Sequence, residues 1–295
     1  MKLPVFTGSA TALVTPYDDT GIDYELLDRV IERQAENGTA ALVICATTGE
    51  SPVLTEQERT LITGFCVRHA AGRMKVIVCV GGNDTQKAAR AAGDAEILGA
   101  DAVLLTTPYY NKANREGLCR HFTAVADRTG LPVIAYNVPG RTGVACTAEI
   151  YQRLAEHPRL NGVKEASGDI SLVSKTIARC GDAFNVWSGN DDQTLPMMAL
   201  GAKGAVSVAS NVDPAGIAGL CEACLRGDLA AAGALHRKYQ KLFETLFTEV
   251  NPIPVKAALT LMGLDHGVYR LPLAPMEENH LAALEDCLKE LGLIS

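Results

Sequence analysis

The run "LNGVKEASGD" (160–169) is apolar-leaning up to a lysine and then continues with Glu165 and small, turn-forming residues. A lysine at such a place is most often a surface residue. The alternative is a desolvated amine that attacks a carbonyl and forms a Schiff base. The company Lys164 keeps decides between them. Thr47 and Thr48 stand in "ATTGES", Tyr110 in "TPYYNK", and Tyr136 and Arg141 in "YNVPGRTG". Gly189 lies in "SGNDDQ" and Val206 in "SVASN".

These residue types suit one chemistry. A lysine amine ordinarily titrates near ~10.4, and apolar surroundings disfavour its ammonium form. The free amine adds to the carbonyl of a 2-oxo acid, and the resulting iminium is an electron sink. Loss of a proton from the adjacent carbon gives an enamine, a carbon nucleophile. The enamine needs an aldehyde, a proton relay and a clamp for carboxylate groups. Tyr136, two residues past Ile134, shares its face of the strand and could turn its hydroxyl inward as a relay phenol, or else serve as a core or interface tyrosine. Thr47 and Thr48 offer hydroxyls, or else serve a turn or cap. The backbone N–H groups of "TTGE" suit a carboxylate. The guanidinium of Arg141 suits a second one, although a surface salt bridge is the commoner fate of a lone arginine.

The elements that must position these groups are near-continuous apolar runs, the pattern of parallel strands buried on both faces. Strands are expected near 9–16, 40–47, 75–81, 101–108, 132–138, 161–166, 184–189 and 204–210. Helices lie between them. One starts after Asp23 and stops at Gly38, and another opens with Thr55 and Glu58 at capping-box spacing. The pattern reads as an α/β chain with a (β/α)8 TIM barrel over 1–213. A C-terminal helical extension over 214–295, broken at "NPIPVK" (251–256), packs on the barrel. An open doubly wound sheet is disfavoured because no GxGxxG or P-loop follows a strand. Barrel chemistry sits at the C-terminal ends of strands. Six of the eight expected strand ends carry hydroxyls, a lysine, an arginine or glycine-rich turns, which favours Lys164 as a nucleophile.

Composition excludes other classes. The chain has 295 residues, 47% of them hydrophobic, a formal net charge of -7 and a pI of about 5.4. No basic run suggests nucleic acid as a partner. No apolar stretch approaches the roughly 18 residues of a membrane span, and the opening "MKLPVFTGSATALVTPY" lacks an h-region. A soluble, cytoplasmic protein is expected. The nine cysteines lie mostly in apolar segments and read as reduced, buried thiols. Cys221 and Cys224 form a CxxC without a second pair, so neither zinc nor a redox role is inferred. The sequons at Asn37 and Asn83 carry little weight without a secretory signal.

The motifs "ATTGES", "TPYYN", "YNVPGRTG" and "GVKEASGD", with "SGNDD", "SVASN" and "NPIPVK", resemble the signatures of the dihydrodipicolinate synthase family over essentially the whole chain. The family belongs to the class I aldolases of the N-acetylneuraminate lyase superfamily. The resemblance implies that Lys164 forms the Schiff base with pyruvate and that Thr47, Tyr136 and Tyr110 form the proton relay. Tyr110 would reach across a dimer interface, in a homotetramer built as a dimer of dimers. Thr48 would hold the pyruvate carboxylate and Arg141 that of aspartate 4-semialdehyde. Val206 would line the lysine, and Gly189 would complete the substrate site. The implied product is 4-hydroxy-tetrahydrodipicolinate, of lysine and diaminopimelate biosynthesis, with no metal or organic cofactor. Ala46 departs from the glycine common before the paired threonines. Glu56, Arg59 and Lys87 stand where lysine-inhibited members carry two histidines and a glutamate, which implies weak or absent inhibition by lysine. Two other functions remain open: a sugar-acid aldolase such as N-acetylneuraminate lyase, which generally lacks the arginine, and a non-catalytic oxo-acid-binding protein, expected to have lost a relay member.

Overall fold

The computed structural model describes residues 1–295. Ten strands form in chain order. They are β1 (Gly8–Ala12), β2 (Tyr17–Asp18), β3 (Gly21–Ile22), β4 (Ala41–Ile44), β5 (Lys75–Cys79), β6 (Ala102–Thr106), β7 (Val133–Asn137), β8 (Leu160–Glu165), β9 (Asn185–Ser188) and β10 (Gly204–Ser207). Eight of them close a parallel barrel in the order β1-β10-β9-β8-β7-β6-β5-β4, with β4 returning to β1. The other two, β2 and β3, make a short antiparallel hairpin that strand periodicity does not reveal. Nearly every barrel residue is buried, as runs of Val, Ile, Leu and Ala covered on both faces require.

The helices are α1 (Tyr24–Glu36), α2 (Glu56–Ala70), α3 (Thr85–Ile97), α4 (Arg115–Ala126), α5 (Pro139–Thr142), α6 (Ala148–Ala155), α7 (Ile170–Cys180), α8 (Thr194–Ala199), α9 (Pro214–Leu225), α10 (Leu229–Thr245), α11 (Ile253–Leu261) and α12 (Glu278–Glu290). Their starts follow local chemistry. The Asp23 carboxylate accepts from the Leu26 N–H to cap α1. Thr55 and Glu58 cap each other's backbone at α2, satisfying two otherwise orphaned donors.

Two apolar layers build the barrel. The outer one lies between strands and helices and includes Leu42, Val103, Phe122, Val163 and Tyr151. The inner one is mostly small: Ala10, Ala12, Ala41, Val43, Ile77, Ala102, Leu104 and Ile134, with bulk from Phe6, Trp187 and Tyr136. The Trp187 indole stacks on Phe6 at 5.2 Å and donates to its carbonyl at 3.1 Å, plugging one end.

The helical extension makes a third cluster. Ile253 to Leu259 of α11 are all buried, and they pack with Val14, Val208, Leu242 and Leu284. The outer helix α9 packs against β1 and α10. It therefore joins the barrel to the helices that follow, directly after the division at 213. The break expected at 251–256 lies earlier, over 246–252, because α10 ends at Thr245 and α11 begins at Ile253. Strand β1 ends at Ala12 instead of 16. Leu13 still donates to Val43, but the Val14 N–H turns to the Asn211 side chain at 3.3 Å.

Candidate active site

A bulge decides which way Lys164 points. Val133 pairs with Leu160, but Ile134 pairs with Gly162, so Asn161 is an extra residue in β8. Leu160 and Val163 consequently both face the outer layer, while Gly162 and Lys164 face the barrel interior. Without the extra residue the parity of the strand would reverse past that point. Asn185 holds the bulge by donating to the Asn161 carbonyl at 3.1 Å. Gly162 is obligatory, since a Cβ there would lie 2.2 Å from the Asn185 carbonyl oxygen.

Lys164 is only 4% exposed. Its Nζ sits 4.3 Å from the centroid of the Tyr136 ring, and the two residues are partners across β7 and β8. Tyr136 belongs to the inner layer with Ile134, as expected from their spacing. Val206 on β10 is buried in the same layer. Gly189 closes around the lysine: a Cβ at that position would stand 3.2 Å from Lys164 Cε and 2.7 Å from Ala166 Cβ. Nothing in composition or spacing gives this reason for the glycine.

The next residue, Glu165, faces the opposite way and is also buried. Its carboxylate accepts from the Tyr151 hydroxyl at 2.5 Å, from Asn137 Nδ2 at 2.9 and 3.1 Å and from the Ser167 N–H at 2.9 Å. Burial raises its pKa against these hydrogen bonds. The network anchors the end of β8 and so the root of Lys164. Asp191, past the end of β9, accepts from the Val208 and Ala209 N–H groups, both at 3.0 Å. Burial raises its pKa too, while the Lys164 charge pulls the other way. Neither carboxylate is singled out by sequence reading.

The threonines stand at the same end of the barrel, past β4. Thr47 is half-buried and Thr48 buried. The turn holding them is bracketed by Cys45 (φ 53°) and Glu50 (φ 55°), two non-glycine residues in the left-handed region. Asn251 from the extension donates to Thr48 Oγ1 at 3.1 Å, and its carbonyl accepts from Arg141 Nη2 at 3.2 Å. Arg141 lies exposed on α5. One asparagine thus ties the two residues expected to bind carboxylates. "NPIPVK" is visible in the sequence as a break, but its reach of some two hundred residues to Thr48 is not.

Tyr110 stands apart from this cluster. It is 87% exposed, has φ 67°, and neighbours the partly exposed Tyr109 on the loop after β6. The other residues of interest supply an amine beside a phenol, and hydroxyls tied through Asn251 to an arginine, at one end of the barrel. That set suits carbonyl addition followed by proton transfer. Elsewhere, Glu56, Arg59 and Lys87 line a cavity of about 350 Å³ between α2 and α3. No group of three or more His, Cys, Asp or Glu side chains is arranged to hold a metal ion. No helix is long and apolar enough to cross a membrane.

The chain is similar to known proteins along its whole length. The model of the dihydrodipicolinate synthetase family matches residues 5–291. The 4-hydroxy-tetrahydrodipicolinate synthase of Geobacter sulfurreducens is 46% identical over 290 residues, covering 98% of this chain and 100% of that one. The crystal structure of dihydrodipicolinate synthase from Aquifex aeolicus superposes with a TM-score of 0.96 at 42% identity, covering 98% of this chain and 99% of that one. The Acinetobacter baumannii enzyme, described as chloride inhibited and complexed with pyruvate, gives 0.96 at 41% identity, covering 98% and 100%. The chain belongs to the dihydrodipicolinate synthetase family.

Proposed function

We propose that this protein is a lyase that condenses pyruvate with L-aspartate 4-semialdehyde to give 4-hydroxy-tetrahydrodipicolinate, acting in the cytoplasm in lysine and diaminopimelate biosynthesis. The observation that carries the reading is the buried amine of Lys164 against the Tyr136 ring, in a chain similar to synthases along its whole length. Lys164 adds to the ketone of pyruvate, and loss of water gives the iminium. A methyl proton leaves to form the enamine, whose carbon attacks the aldehyde, and the new alkoxide takes up a proton. The amino group of the semialdehyde then adds to the iminium carbon and Lys164 departs as the free amine, closing the ring.

In this reading Tyr136 and Thr47 pass the protons, with Tyr110 of a second copy. The exposure and left-handed backbone of Tyr110 support its use at an interface between subunits. Thr48 and the turn around it hold the pyruvate carboxylate, Arg141 holds that of the semialdehyde, and Gly189 and Val206 shape the space around the lysine. The assembly is a homotetramer built from two such dimers.

The semialdehyde carries a carboxylate that a sugar aldehyde lacks, and Arg141 at the rim favours it. The test supplies pyruvate with either aspartate 4-semialdehyde or N-acetylmannosamine and follows product by mass spectrometry. Cyclic product from the semialdehyde alone is expected. Product from the sugar alone would overturn the substrate assignment.

A further inference from the structure

The side chain of Lys256, on α11, is completely buried. Its ammonium donates to Glu50 Oε1 at 2.7 Å, to the Val268 carbonyl at 2.6 Å and to the Thr15 carbonyl at 3.4 Å. It also stands 4.5 and 5.1 Å from the ring centroids of Tyr17 and Tyr269. All three of its protons have an acceptor. Glu50 is buried as well, and its second oxygen accepts from the Arg270 N–H at 3.3 Å.

Glu50 ends the "TTGE" turn. Left-handed backbone at a residue with a side chain is costly and persists only where the surroundings impose it. Here both flanks of the turn, Cys45 and Glu50, carry that cost. The segment bearing Lys256 contacts the turn from outside the barrel. It grips the turn at Glu50 through Lys256 and at Thr48 through Asn251, five residues earlier. Gly49 sits between these grips, packed so closely that a Cβ would be 3.1 Å from both the Leu13 carbonyl and Thr15 Oγ1.

A buried ion pair is weak ground for stability, because hydrophobic replacements of similar shape are often neutral or better. What apolar packing cannot supply is a directional grip on one side chain of one turn. We infer that Lys256 and Glu50 are positioning residues: their buried pair uses the C-terminal extension to hold the Thr47–Thr48 turn in its pyruvate-binding conformation. The inference rests on the functional reading above and adds to it a reason for the extension to be part of the enzyme.

The experiment compares wild type with Lys256→Met, Glu50→Gln, the double variant, and Lys241→Ala, which removes an exposed pair with Glu290 on the same extension. Each is checked for folding by circular dichroism, then assayed well below its Tm. The expected result is a pyruvate KM raised about tenfold or more in the folded Lys256 and Glu50 variants. Lys241→Ala should match wild type. Glu50→Gln keeps the shape and the acceptor atom, so it decides the matter if Lys256→Met does not fold. Variants that lose Tm yet keep pyruvate KM and kcat within twofold would overturn the inference and leave the pair a purely structural one. Wild-type protein that fails to condense the two substrates would overturn the functional reading itself, an outcome distinct from unaffected variants of a working enzyme.

Discussion

Lys164 and Tyr136 face each other across β7 and β8, with the amine 4.3 Å from the ring centroid. The pairing depends on one extra residue, Asn161, which turns Lys164 to the inside of the barrel and Glu165 to the outside. The lysine amine and the phenol are therefore fixed by backbone register, on barrel strands instead of loops.

Gly189 leaves room beside the lysine. In Gly189→Ala the added methyl meets Ala166 Cβ at 2.7 Å and Lys164 Cε at 3.2 Å. Overpacking of this kind costs about 1–3 kcal/mol and displaces the amine. Reductive trapping of pyruvate should slow by about tenfold or more, since small misplacements of reacting groups are expensive. An unchanged trapping rate would show that the lysine tolerates the displacement.

Tyr110→Phe tests the interface role of the exposed tyrosine. Removing one hydroxyl from an exposed loop should leave Tm unchanged, yet condensation should fall about a hundredfold as a proton-relay member is lost. Pyruvate trapping on Lys164 should survive. Activity that also falls on dilution would accompany the loss of a site shared between subunits. Condensation within twofold of wild type would remove Tyr110 from the relay.

Asp265 sets a pH dependence of stability. Burial raises its pKa to about 6, with Lys256 opposing and Glu50 adding to the shift, and its Oδ2 has no partner. The folded state therefore binds a proton more tightly than the unfolded chain. Any stability tied to that proton is present below the ordinary carboxylate pKa near ~4 and is lost as pH rises through about 6. Asp265→Asn should stabilise the protein at pH 7 by about 2–3 kcal/mol in denaturant unfolding, with the gain vanishing near pH 4. A gain independent of pH would contradict this origin.

The cavity between α2 and α3 presents Arg59, Lys87 and Arg90 against Glu56 and Asp94, so its cations outnumber its carboxylates. The Arg59 guanidinium is already committed to the Ser51 carbonyl and hydroxyl. A lysine ammonium placed there would meet like charge. Steady-state assays should show no inhibition at submillimolar lysine, and the Lys87→Glu variant should gain sensitivity. Inhibition of wild type in that range would refute the electrostatic argument.

The strands were legible because both faces of each are buried, which leaves continuous apolar runs broken by turn residues. The cluster of polar residues at strand ends was legible for the same reason: Lys164 interrupts such a run. The parity of β8 was not, because an alternating pattern cannot be read from a strand buried on both sides. The grips of Asn251 on Thr48 and of Lys256 on Glu50 join residues some two hundred positions apart. A lysine inside the otherwise apolar run "IPVKAALTL" was the available signal, since a charge there needs a buried partner. The packing of α9 against both β1 and α10 was hidden because nothing local in its sequence marks the contact with β1.

Peptide mapping tests most directly whether Lys164 is the nucleophile. Protein incubated with pyruvate and reduced with borohydride should carry one adduct per chain, on the peptide containing Lys164, and Lys164→Ala should carry none while remaining folded. An adduct on another lysine, or full condensation activity in Lys164→Ala, would contradict the account.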